Sequence, residues 1–164
     1  MKKVLIAGMG NVLRGDDGFG VEIARRLVNG GGLPAGVKVV EVGIGGIHLV
    51  QELMERYDAL VLIDAVERGS QPGTVHLLEA EVPDLVAWPE DERRDFLADM
   101  HYATPSKALI LARALGVLPR KVFIVGCQPE VYEELGIGLS EAVAPAVAAA
   151  TEQVLQIVEQ LRSS

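Results

Sequence analysis

A three-layer α/β/α domain, built on a twisted, mostly parallel sheet of about five strands and one antiparallel edge strand, is the architecture this chain predicts. Two observations lead there. Short apolar runs at Val4–Gly8, Val37–Val42, Ala59–Ile63 and Lys121–Gly126 are bounded by glycines, turns or acids and alternate with segments of helical period. The connections between most of them are crossover length, which implies parallel strands. The 164 residues fit one domain, residues 1–164, with length enough to bury a sizeable core.

The first run, Val4 to Ala7, reads as a buried strand that ends in the loop Gly8-Met9-Gly10-Asn11 and continues to Asp16-Asp17-Gly18. Val21, Ala24, Leu27 and Val28 recur at helical spacing, so a helix starts near Gly18. Asn29-Gly30-Gly31-Gly32 and Pro34 stop it. The second strand, Val37 to Val42, ends at the turn Gly43-Ile44-Gly45-Gly46, and a second helix carries Ile47, Val50, Leu53 and Met54. The third strand ends at Asp64. After the turn Gln71-Pro72-Gly73, residues Thr74 to Leu78 suit an antiparallel edge strand. Residues Val82 to Met100 show no clear period and read as a flexible surface loop, its acidic run Glu90–Glu92 a solvated face. Thr104-Pro105-Ser106 opens a helix bearing Leu109, Leu111, Ala112 and Leu115, with Pro105 suited to its first turn. Ser140-Glu141 is expected to cap a long last helix that buries Val143, Val147, Val154, Ile157, Val158 and Leu161.

Composition narrows the function. A net charge of −8 argues against non-specific binding to nucleic acid or anionic membrane. One cysteine, Cys127, permits no internal disulfide and fits a reducing cytoplasm. The apolar stretch after Met1-Lys2-Lys3 stops at Gly8 without a cleavage-site pattern, so no signal peptide is expected, and no apolar stretch is long enough to span a bilayer.

Gly8-x-Gly10 imitates the opening of a dinucleotide-binding loop, but Leu13 stands where its third glycine belongs. Asp16 and Asp17 sit where a pyrophosphate would need a positive helix end, and would repel it. The two acids suit a cation, or serve as helix caps. Asp64 ends the third strand and opens on the same sheet edge, either as a turn-former or as a second ligand. Of the three histidines, His48 lies on the second helix, His76 in the edge strand, and His101 just before the helix at Thr104. Two carboxylates and an imidazole converging from separate loops would make a site for a divalent transition metal with open positions. No Gly-x-Ser-x-Gly elbow is present, and Cys127 reads as a small buried hydrophobe at the end of its strand.

The pattern Gly8-x-Gly10-Asn11-x-Leu13 with Asp16-Asp17-Gly18-x-Gly20, the turn at Gly45-Gly46, the strand end Ile63-Asp64-Ala65 and the His101 region resemble the hydrogenase maturation endopeptidases. Val125-Gly126-Cys127-Gln128-Pro129-Glu130 and Gly138-Leu139-Ser140 resemble that family's late motifs, so the similarity runs nearly end to end. The resemblance implies an endopeptidase that removes the C-terminal extension of a nickel-iron hydrogenase large-subunit precursor after nickel insertion. It implies Asp17, Asp64 and His101 as the catalytic and nickel-contacting residues, with the nickel carried by the precursor. Gly43, Gly45 and Gly46 would let the substrate backbone approach closely. The segment Val82 to Met100 is a candidate contact surface for the precursor. The expected protein is cytoplasmic and monomeric when free, with the precursor as partner and with no nucleic acid or membrane. The alternatives are a nickel-dependent chaperone or docking module without peptidase activity, an acid-metal hydrolase of another substrate, and, last, a dinucleotide binder.

Overall fold

Strand β1 (Val4–Met9) is buried along its whole length, which is why its sequence is continuously apolar rather than alternating. In the computed structural model, which describes residues 2–44, 46–98 and 104–164, it is a central strand of a five-stranded sheet. The other strands are β2 (Val37–Gly43), β3 (Ala59–Ala65), β4 (Val75–Glu79) and β5 (Lys121–Cys127), in the order β2-β1-β3-β5-β4. All neighbours are parallel except β4, which pairs antiparallel with β5 at the edge. The expected architecture is therefore the observed one.

Side chains alternate across each strand and meet different helices. Val4, Ile6, Val61 and Ile63 pack against α1 (Phe19–Gly30) and α5 (Ala146–Ser163), through Phe19, Ile23, Val154 and Ile157 among others. Leu5, Ala7, Leu60 and Leu62 pack against α2 (Gly46–Leu53) and α4 (Pro105–Ala114), through Leu49, Leu53, Leu109 and Ala112. At α4 the local signals act as read: Pro105 lies in the first turn and the Thr104 hydroxyl accepts from the Lys107 amide at 3.3 Å.

Three local expectations are corrected. Residues 82–98 are not a plain loop: Leu85–Ala87 form a 3-10 turn and Glu90–Ala98 form a helix, α3. None of the α3 residues is buried, so no apolar period betrays it. It is supported locally instead, by Glu90, Asp91 and Glu92 in the first turn and by the Glu90–Arg94 pair. Second, Ser140 does not cap α5. The helix begins at Ala146 behind Pro145, although the expected buried side, from Val147 to Leu161, is correct. Third, α2 turns Leu49, Val50 and Leu53 inward, while Ile47 on it and Met54 just past its end are exposed.

The chain leaves β1 for β2 on one side and returns to β3 on the other. This reversal opens a crevice at the carboxyl ends of β1 and β3, the place where open α/β sheets bind ligands.

Candidate active site

The glycines of the first loop serve close packing rather than phosphate. A Cβ on Gly20 would lie 2.0 Å from the Ile63 carbonyl oxygen and 2.6 Å from that of Met9, so only glycine lets α1 settle over the ends of β1 and β3. Gly10 takes φ +116° and donates its amide to the Gly43 carbonyl at 2.8 Å, tying the β1 loop to the end of β2. A Cβ there would lie 1.8 Å from the Asp17 carbonyl oxygen and 3.5 Å from Asp64 Oδ1. Gly10 thus stands between the two expected acids, and the fold brings those acids together.

Asp16 and Asp17, inseparable in sequence, do different things. Asp16 is fully buried. Its Oδ2 accepts from the amides of Glu130 and Val131, both at 2.9 Å, and from the Ser140 hydroxyl at 2.8 Å, while Oδ1 accepts from the Ser140 amide at 2.7 Å. Burial pushes its pKa up, but these bonds together outweigh it and hold the carboxyl below its ordinary range. Asp16 is a structural clamp, and its partners are the two late motifs around Glu130 and Ser140. Neither acid caps α1, whose N-cap is Gly18 with no side-chain bond.

Asp17, half-buried, accepts from the Asn11 amide at 2.9 Å. Asp64, at the end of β3, accepts from the Ala65 amide at 2.9 Å. Burial and then the charge of Asp17 raise the Asp64 pKa from 3.8 to about 7, against that one amide. A carboxyl poised near neutrality beside an ionisable partner can take and return a proton, the profile of a general acid–base group.

His101 and Gly45 lie outside the described residues. Gly43 closes β2 at φ +64° and Gly46 opens α2. A cleft of about 250 Å³ runs beside this edge, lined by Gly10, Asn11, Val12, Val42, Gly43 and Ile44 among others. A hollow of about 370 Å³ among Ala80, Arg113 and Arg120 sits at the other ends of β4 and β5, away from both acids. His76 is held by Ser70, Nε2 to Oγ at 3.0 Å, and His48 is exposed on α2. Among the described residues no three His, Cys, Asp or Glu side chains form a metal-holding group.

Cys127 is fully buried at the end of β5. Burial, reinforced by the Asp16 charge, raises its pKa to about 11. It is a thiol at neutral pH and a poor nucleophile.

Two buried polar side chains stand out beside the site. Besides Asp16, Gln128 Oε1 accepts from the amides of Arg68 and Ser70, at 2.7 and 3.2 Å, and so pins the loop that follows Asp64. The Gln128–Glu130 and Gly138–Ser140 motifs are visible in the sequence, but their task, holding Asp16 and the loop after Asp64, is not.

Residues 21–157 match the family model described as hydrogenase maturation protease. The chain belongs to that family. The hydrogenase expression/formation protein HupD of Rhodobacter capsulatus is 31% identical, over 99% of this chain and 72% of that protein. HoxM of Azotobacter vinelandii, with the same description, is 36% identical over 85% of this chain and 64% of its own length. Among solved structures, the hydrogenase maturating endopeptidase HybD from E. coli aligns with TM-score 0.77 and 31% identity, covering 96% of this chain and 93% of that one. By family the protein is a peptidase. No helix among its described residues is long and apolar enough to cross a membrane.

Proposed function

We propose that this peptidase removes the C-terminal extension of a nickel-iron hydrogenase large-subunit precursor after nickel insertion, and that Asp17, Asp64 and His101 contact the nickel the precursor carries. The observation that supports it most is the pairing of Asp17 and Asp64 at the β1/β3 reversal, with Asp64 titrating near neutrality. Two neighbouring carboxylates favour a cation over a phosphate. The third donor, His101, is the one the resemblance implies. The 115–120 connection joins α4 to the amino end of β5, so the Thr104 end of α4 points toward the carboxyl edge where the acids lie. His101 precedes Thr104 by three residues.

In this reading, loaded precursor presents its nickel to the acids, and unloaded precursor lacks that contact and is passed over. The Gly10–Gly43 connection leaves no side chain at the crossing point of the loops, so substrate backbone can come close. Mass measurement of the precursor's C-terminus, with and without nickel loading, tests this. A defined shortening only of loaded precursor is expected. An unchanged mass in both would leave the protein a docking module, and equal shortening of both would remove nickel from the account.

A further inference from the structure

Residues 130–140 form a strap that is fastened firmly and packs little of itself away. The Asp16 carboxylate grips it at Glu130 and Val131 and again at Ser140. Its middle is bonded to the active-site loop, with the Gly15 amide on the Gly136 carbonyl and the Gly136 amide on the Leu13 carbonyl, both at 2.9 Å. A buried carboxylate is expensive unless its bonds are complete, and ordering the strap costs backbone entropy. Yet the two apolar side chains flanking Gly136 face solvent: Leu135 is 89% and Ile137 86% exposed. Leu13, across the backbone bonds, is also exposed. A rigid strap with its large apolar side chains turned outward holds them ready for a partner.

We infer that Leu13, Leu135 and Ile137 form the surface on which an apolar, basic-flanked stretch of the large-subunit precursor docks before cleavage. Its charge argues for that occupant. Glu130, Glu133 and Glu134 precede the apolar pair along the strap and are exposed, and Arg14 pairs with Gly136 between them. A segment carrying Lys or Arg is attracted there, and an acidic one is repelled. The position argues for it too, since the strap is bonded to the same loop that ends in Asp17 three residues after Arg14. This inference rests on the peptidase reading above.

The test uses two double variants at exposed positions, Leu135→Ser with Ile137→Ser, and Glu133→Lys with Glu134→Lys. Precursor affinity is read by surface plasmon resonance and cleavage by steady-state kinetics, after thermal melts show the variants folded. The apolar pair is expected to weaken Kd and raise KM about tenfold with kcat at saturation within about twofold. The charge pair is expected to weaken binding at low salt, with the difference shrinking at high salt. Kd and KM within twofold of wild type for the apolar pair would overturn the docking surface. A dimer of the free protein that the apolar pair abolishes, with precursor binding intact, would give the surface to a second copy and also overturn it. If wild type binds the precursor through these residues but shortens nothing, the peptidase reading fails while the docking surface stands.

Discussion

Asp64→Asn should stabilise the folded protein at neutral pH while ending its activity. Burial first, and the Asp17 charge second, hold the Asp64 carboxyl at about 7 instead of 3.8. Between those two values the native state binds the proton more tightly than the unfolded chain does. Stability therefore falls as pH rises through that window and levels off above it. The amide in the variant does not titrate. From pH 5 to pH 8 the wild type should lose stability relative to the variant by at most about 3 kcal/mol, at about 1.36 kcal/mol per pH unit up to the folded pKa. Solvent around this half-buried group screens part of it, leaving roughly 1–2 kcal/mol. Urea denaturation of both proteins at the two pH values, at equal m, reads the difference. A gap between variant and wild type that is the same at pH 5 and pH 8, to within about 0.5 kcal/mol, would refute the strained carboxyl.

Three further outcomes follow from the neighbouring residues. Asp16→Asn places an amide donor against a group of amide and hydroxyl donors, and should cost about 2–4 kcal/mol and speed hydrogen exchange in 130–140; wild-type protection there would show that the clamp is dispensable. Gly20→Ala drives a methyl into the Ile63 and Met9 carbonyls, and should destabilise by about 2 kcal/mol or more; a melt at the wild-type temperature would mean that α1 moves freely. Cys127→Ser should keep processing, because the buried thiol is protonated at neutral pH; loss of cleavage in a folded variant would restore a cysteine mechanism.

What could be read from the residues, and what could not, follows from burial. β1, β3 and β5 lie inside the sheet with helices on both faces, so their apolar runs are continuous and locate themselves. The switch between β1 and β3, and with it the meeting of Asp17 and Asp64, follows once those strands are parallel. α3 escaped because a helix that buries none of its residues has no period to detect. The division of labour between Asp16 and Asp17 was hidden for another reason. It depends on amides more than a hundred residues away, at Glu130, Val131 and Ser140, which no local pattern can assign. Ser140 shows the same limit: its sequence suits a cap, and its hydroxyl goes to Asp16 instead. The third site residue expected from the resemblance, His101, falls outside the described residues, so the acids rest on geometry and the imidazole on the resemblance alone.

The most direct measurement is the mass of nickel-loaded large-subunit precursor after incubation with wild type, Asp17→Asn, Asp64→Asn and His101→Ala, each first shown to be folded by circular dichroism. Wild type should yield one shortened product of defined mass, and each variant should leave the precursor at its full mass. Full-rate shortening by all three variants would contradict the Asp17–Asp64–His101 site at the β1/β3 reversal.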